Sequence, residues 1–254
     1  MMSTIFMIHG MWGGGWYWEN YKDFFEGKGF RCIRPYLRHH NVNPKDKPPK
    51  GLGGTGLKDY VSDLEAEITK LPEKPIIIGH SMGGLLSLML AGRDLARAVV
   101  MITPASPAGI NALKWSVQRS FAGPLLKFKW LGFPHRLSFN AAVYAMMHLL
   151  LPDEQRYIYD RSVAESGRAV REIGFWAFDV RAASRVKPGT VQCPLLIIGA
   201  SEDRITPAKV VKKTADKYAH VATYKEYQNH AHSIIWEKGW EKVAEDIYQW
   251  LEQI

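Results

Sequence analysis

Cysteine is nearly missing from the 254-residue chain: Cys32 and Cys193 are the only two, and they stand far apart. Two distant thiols exclude a disulfide-stapled scaffold. Long hydrophobic runs are missing too. None approaches the ~20 residues needed to cross a bilayer, so no membrane span is expected. No Asn-x-Ser/Thr acceptor occurs, and no basic residue precedes the first apolar run, Thr4–Ile8. A secretory leader is therefore not expected, and a cytoplasmic protein with reduced thiols is. No G-x-G-x-x-G or Walker-type loop opens a strand–helix unit, and no Cys/His/Asp cluster has metal-ligand spacing. Neither a nucleotide, nor any other cofactor, nor a metal is expected.

Acid is the scarcer charge, with 25 Asp and Glu against 33 Lys and Arg, a net charge of +8. The excess is local. Residues 27–51 carry +6 and residues 108–151 carry +5, which leaves the remainder at −3. Such a surface suits anionic substrates or acidic surfaces. No nucleic-acid motif accompanies it, so nucleic acid is not an expected partner. Hydrophobic residues at 46% and charged residues at 23% are ordinary for a globular chain.

Apolar runs such as Ile76-Ile77-Ile78 and Leu195-Leu196-Ile197-Ile198 suit strands buried on both faces of a parallel sheet. Strands are expected at Thr4–Ile8, Phe30–Arg34, Pro75–Gly79, Arg97–Ile102, Pro194–Gly199 and Val221–Lys225. Between them Leu57, Tyr60, Val61, Leu64, Ile68 and Leu71 share one helical face, as do Trp240, Val243, Ile247, Trp250 and Leu251 near the end. Thr206 before Pro207 reads as an N-cap with proline at the first helical position. The alternation predicts an α/β fold with a mostly parallel, doubly wound sheet. It breaks between Pro104 and Pro188, where helical stretches are expected at Ile110–Arg119, Asn140–Leu150, Asp153–Ser166 and Arg168–Phe178. That stretch is too long and apolar for a crossover loop. Residues 1–103 and 189–254 are accordingly expected to form the core, with 104–188 inserted as a helical cap.

The sharpest motif is Gly79-His80-Ser81-Met82-Gly83-Gly84, between the run Pro75–Ile78 and the helical run Leu85–Gly92. Strand, sharp turn and helix are the context of a nucleophile elbow, with Ser81 in the turn and glycines where backbones must approach. The helix N-terminus beside it can stabilise an oxyanion. Further on, Asp203 and its neighbour Glu202 follow an apolar strand, and His230 and His232 precede the last helix.

Together these segments resemble the α/β-hydrolase superfamily, in its serine esterase-like form with a helical cap. The resemblance implies Ser81 as nucleophile and His232, 29 residues after Asp203, as base. Asp203 lies in the register of the family's orienting acid, with Glu202 as the competing carboxylate and His230 as the competing histidine. His9-Gly10-Met11-Trp12-Gly13-Gly14 is similar to the family's oxyanion loop, which implies that the Met11 and Met82 amides form the hole. The aromatic-rich His9–Trp18 segment is similar to that of plant methyl-esterases.

The implied activity is cleavage of a carboxylic ester through an acyl-Ser81 intermediate, on a small-molecule substrate that is apolar in part and anionic in its alternative form. Trp12, Trp115, Phe128, Trp130 and Met146 are the expected pocket residues, the last four from the aromatic and Met-rich cap. Cofactor-free perhydrolases share the Ser, Asp and His and a Met after the Ser. Hydroxynitrile lyases of this fold carry Thr where Gly10 stands and Lys where Ser233 stands. Some hormone receptors keep the fold as a binding module without turnover.

Overall fold

The computed structural model of the chain describes residues 3–112, 115–117, 119–120 and 132–254. Six strands, β1 (Thr4–Ile8), β2 (Arg31–Ile33), β3 (Ile76–His80), β4 (Ala98–Ile102), β5 (Leu195–Ala200) and β6 (Ala222–Tyr227), pair in parallel in the order β2-β1-β3-β4-β5-β6. Each strand boundary lies within two residues of the run that predicted it. Strand side chains alternate between two apolar layers. Ile5, Met7, Ile76, Ile78, Val100 and Ile102 face the layer holding α1 (Glu19–Gly27) and the last helix. Phe6, Ile8, Ile77, Val99 and Met101 face the layer holding α2 (Leu57–Ile68) and α3 (Met82–Ala91). Burial on both faces is why these strands read as unbroken apolar runs.

Because β1 lies between β2 and β3, the chain leaves it toward one side and returns on the other. The loops after β1 and β3 therefore meet a crevice at the carboxyl ends of the strands. Both the Gly10–Gly14 turn and Ser81 lie there.

Among the described residues the segment between β4 and β5 holds no sheet strand. It contains α4 (Phe139–Ala142), which runs into a π turn at Val143–Met147, then α5 (Pro152–Arg161) and α6 (Gly167–Gly174). The helices are shorter than their apolar pattern predicts. The one expected over Asp153–Ser166 stops at Arg161, because Glu165 forms an antiparallel bridge with His135 and its side chain is fully buried. The first expected helix, Ile110–Arg119, falls partly outside the described residues.

The chain ends with α7 (Ala208–Lys217), β6 and α8 (Trp240–Leu251). Val243, Ile247 and Leu251 bury one stripe of α8. The start of α7 differs from expectation. Pro207 is its N-cap, and the Thr206 hydroxyl turns instead toward a carboxylate of the crevice. No helix among the described residues is long and apolar enough to cross a membrane.

Candidate active site

Ser81 is the single residue between β3 and α3, and its backbone sits at φ 56°, ψ −120°. That conformation costs a non-glycine residue of order 1–3 kcal/mol and persists only where neighbours impose it. Here they do. The Ser81 N–H donates to the Ile102 carbonyl at 3.0 Å, and its own carbonyl accepts from Gly84 at 3.0 Å and Ala105 at 2.9 Å. The flanking glycines are required by contact: a Cβ on Gly83 would lie 2.1 Å from the Ile8 carbonyl oxygen, and one on Gly79 2.3 Å from that of Gly83.

His232 and Asp203 meet beside this turn, in a nearly water-free setting. His232 is 1% exposed and Asp203 5%. The His232 Nδ1–H donates to Asp203 Oδ2 at 2.8 Å. Asp203 accepts three further bonds of 2.8 Å, from the Ile205 and Thr206 amides at Oδ1 and from the Thr206 hydroxyl at Oδ2. Burial pushes the Asp203 carboxyl up. The adjacent His232 and the Thr206 bonds outweigh it and hold the group below its usual range, ionised at neutral pH. With Nδ1 committed to a carboxylate, Nε2 of His232 is the nitrogen left to accept a proton.

The competing residues point elsewhere. Glu202 contacts the Ser201 hydroxyl at 3.3 Å on the exposed side. His230 Nδ1 pairs with Glu237 at 3.0 Å. One position in the first loop and two in the second separate the residues that meet from those that do not.

Two further histidines brace the crevice and are neutral. His9 donates from Nδ1 to the Gly10 carbonyl at 2.8 Å and accepts the Leu37 N–H at Nε2, 3.1 Å, which fixes its tautomer. Burial, aided by His40, lowers it to about 3. His80 donates from Nε2 to the His232 carbonyl at 2.8 Å, and burial with His232 nearby lowers it to about 3 as well. Burial also pushes the thiols of Cys32 and Cys193 up to about 12 and about 11, so both stay protonated and poorly nucleophilic.

Ser81 opens onto a cavity of about 250 Å³ with Met11, Trp12 and Met82 also in its wall. At the first position of α3 the Met82 N–H has no intrahelical carbonyl to bond, and the helix N-terminus favours negative charge. The opposite wall comes from the inserted segment, including Ile110, Val117, Val170, Ile173 and Phe175.

Trp12 thus lies where the sequence expects a pocket residue. Trp115 does not: it is 77% exposed and absent from this wall, and its neighbour Val117 lines the cavity instead. Met146 packs against the apolar layer of the sheet, with its carbonyl accepting the Ser233 N–H at 3.2 Å. Phe128 and Trp130 lie outside the described residues.

Sequence reasoning missed the turn Trp176–Phe178, which lines the cavity, and the role of Thr206. It also missed a buried cluster behind the site. His40 donates from Nδ1 to the Arg38 carbonyl at 3.0 Å and from Nε2 to Glu165 at 3.1 Å. Tyr60 donates to Glu165 at 2.7 Å. Both nitrogens of His40 face acceptors, which requires the imidazolium. Burial opposes that charge, and Glu165 beside it raises the pKa regardless. The histidine in turn keeps the buried Glu165 carboxyl below its usual range.

A family model, the alpha/beta hydrolase family, matches residues 5–246. Among curated proteins, Protein ABHD8 of Mus musculus is 28% identical over 111 residues, 42% of this chain and 25% of that protein, so the chain matches a quarter of the relative's length. Among solved structures, a monoacylglycerol lipase of Paleococcus ferrophilus superposes with a TM-score of 0.71 at 22% identity, covering 98% of this chain and 93% of that one. The methylesterase MES16 of Arabidopsis superposes with a TM-score of 0.75 at 12% identity, covering 100% of both chains. At these identities the structural likeness is one of fold.

Proposed function

Because the chain belongs to the alpha/beta hydrolase family, we propose that it is a serine hydrolase that cleaves a carboxylic ester with an apolar portion. The observation that carries the reading is the buried His232–Asp203 contact of 2.8 Å beside the elbow that holds Ser81 at the cavity wall. His232 takes the Ser81 proton at Nε2, and Asp203 fixes the imidazole tautomer and stabilises the imidazolium. Ser81 Oγ attacks the acyl carbonyl, and the Met11 and Met82 amides receive the oxyanion, a term worth ~3–4 kcal/mol in such sites. His232 returns the proton to the leaving alcohol. Water then attacks the acyl-Ser81 ester by the same route and regenerates the enzyme.

The names of the structural relatives, a monoacylglycerol lipase and a methylesterase, are in keeping with ester chemistry. The apolar cavity wall suits an acyl or aryl group. Residues of the segment 104–188, among them Ile110, Val170, Ile173 and Phe175, wall the cavity as a cap and set which ester enters. Lyase chemistry of the same fold is disfavoured. A Cβ on Gly10 would lie 2.8 Å from the Ser81 Cβ, and Ser233 is fully buried against Tyr17 at 3.1 Å, with no room for lysine.

The test is a fluorophosphonate probe followed by peptide mass mapping, with p-nitrophenyl ester turnover measured in parallel. The adduct is expected on Ser81, and Ser81→Ala is expected to abolish both labelling and turnover. Labelling at another residue, or hydrolysis that survives Ser81→Ala, overturns the reading.

A further inference from the structure

The wall that closes the cavity has a second side. Helix α6 sends Val170 and Ile173 inward to the catalytic cavity, and Arg168, Arg171 and Glu172 outward to a separate cleft of about 660 Å³. Phe175 and Phe178 line both spaces. These two rings therefore form the boundary that an apolar space and a charged one share.

The charges of the outer cleft are unevenly engaged. The buried Glu172 carboxylate accepts from Arg168 Nε and from the Leu57 amide, both at 2.7 Å. Arg168 also reaches Asp59 at 3.5 Å. Asp179 is taken up by the backbone, accepting from the Arg181 amide at 3.1 Å and the Ala183 amide at 2.6 Å. Arg171 and Arg181 remain, and neither guanidinium has an ion-pair partner among the described residues. Beside them Phe178 is 85% exposed and Val180 99%.

These cations come from neither basic stretch of the sequence. Two members of the first stretch are occupied elsewhere, Lys28 by Glu245 at 3.0 Å and Arg38 by Asp63 at 2.7 Å. The excess charge of the chain is therefore a poor guide to where an anion would settle. Two unpaired guanidiniums next to an apolar chamber are a better one, since the planar fork matches carboxylate and phosphate oxygens.

We propose that the outer cleft is an anion subsite, in which Arg171 and Arg181 hold the carboxylate or phosphate group of an amphiphilic ester whose apolar portion occupies the inner cavity. The proposal rests on the ester-hydrolase reading for its substrate, though binding can be measured without turnover.

Two measurements test it. The first compares, below any micelle concentration, the mono-p-nitrophenyl ester of a medium-chain diacid with its neutral methyl-capped counterpart. Wild type is expected to favour the anionic ester, chiefly through KM. In Arg171→Gln/Arg181→Gln the ratio of the two kcat/KM values is expected to fall about tenfold. A ratio that stays the same, or an equal loss on both esters, overturns the proposal. The second is titration calorimetry with octanoate and octanamide, which needs no catalysis. Octanoate is expected to bind more tightly, and the double variant to remove the difference. Equal affinities in wild type overturn the subsite even if Ser81 proves to be a nucleophile. Retained preference for octanoate with no turnover of any ester leaves the subsite standing and removes the hydrolase reading. An arm with anionic phospholipid vesicles separates sources: charge preference seen only on vesicles assigns the arginines to a lipid surface and overturns the subsite.

Discussion

His80 and His232 are joined through the backbone of the second: His80 Nε2–H donates to the His232 main-chain carbonyl at 2.8 Å. The residue just before the elbow serine therefore anchors the residue proposed as its base. A hydroxyl from Thr103 at 3.4 Å reaches the same carbonyl. Strands β3 and β4 thereby fix the position of a loop that follows β6. Burial, with His232 nearby, lowers His80 to about 3, so at any working pH the ring is neutral and makes this bond as the Nε2–H tautomer.

His80→Phe keeps a ring against Tyr17, whose centroid lies 5.3 Å away, and removes the bond to His232. With the longer Thr103 contact and the Asp203 bond alone holding it, His232 is expected to shift relative to Ser81. Misplacement on the ångström scale costs up to about a hundredfold in rate. A fall in kcat of about 10- to 100-fold is expected on a neutral p-nitrophenyl ester, with KM changed less than twofold. His80→Gln, which restores an N–H, is expected to recover part of the loss. A kcat for His80→Phe equal to wild type refutes the positioning role.

Asp203→Asn is expected to lower kcat by about 10⁴, since an amide at Oδ2 favours the wrong imidazole tautomer. Thr206→Val removes the hydroxyl that donates to Asp203 at 2.8 Å and lies 3.2 Å from His232 Nδ1. Its expected cost is smaller, about tenfold, because both amide bonds to Asp203 remain. Glu202→Gln is expected to behave as wild type. Steady-state kinetics on the three variants checks the order; a larger loss in Glu202→Gln than in Asp203→Asn reverses the assignment.

The four inner strands were legible because burial on both faces leaves a plain mark, a nearly unbroken apolar run, whereas the edge strands β2 and β6 are half-exposed and carry polar residues. The Ser81 elbow was legible because two backbone contacts near 2 Å admit only glycine. The choices of Asp203 over Glu202 and of His232 over His230 leaned on motif register; in the folded chain the first of each pair bond to each other, while Glu202 and His230 bond to Ser201 and Glu237. Pocket residues were harder. Counting aromatics in the insert selected Trp115, yet an aromatic ring has no preference for a cavity over solvent unless a partner covers it. The His40–Glu165 pair was illegible because its members stand 125 positions apart and neither carries a local pattern.

Gly10 offers a steric test of the loop proposed to hold the oxyanion. A Cβ there would lie 2.8 Å from the Ser81 Cβ and 3.1 Å from the His80 carbonyl oxygen. Gly10→Ala forces β1 and β3 apart at the crevice, an overpacking cost of about 1–3 kcal/mol. A Tm lowered by roughly 2–12 °C is expected for a chain of this length, with kcat reduced because the Met11 amide moves with the loop. Thermal unfolding together with kinetics checks both, and a variant with wild-type values in both contradicts the tight approach.

The His40–Glu165 pair predicts a specific dependence of stability on pH. The folded pKa of His40 lies above 6.5, so its contribution is full below 6.5 and is lost as pH rises through the folded value. The folded pKa of Glu165 lies below 4.5, so its contribution is full above 4.5 and is lost as pH falls through the folded value. Both are present between about pH 4.5 and 6.5. His9, whose ring centroid is 5.2 Å from that of His40, stays neutral across this window because burial holds it at about 3. Arg38 is paired with Asp63, and Tyr60 keeps its proton. His40→Gln leaves Glu165 as a buried charge without its counter-ion, a loss of about 3–5 kcal/mol. Its Tm is expected to lie roughly 6–20 °C below wild type at pH 6. Above pH 6.5 the wild type itself loses stability, at up to about 1.4 kcal/mol per pH unit until His40 is neutral, so the gap narrows. Calorimetric scans of both proteins from pH 5 to pH 9 measure it. A gap that stays constant over that range means His40 is not the imidazolium that its two acceptors require.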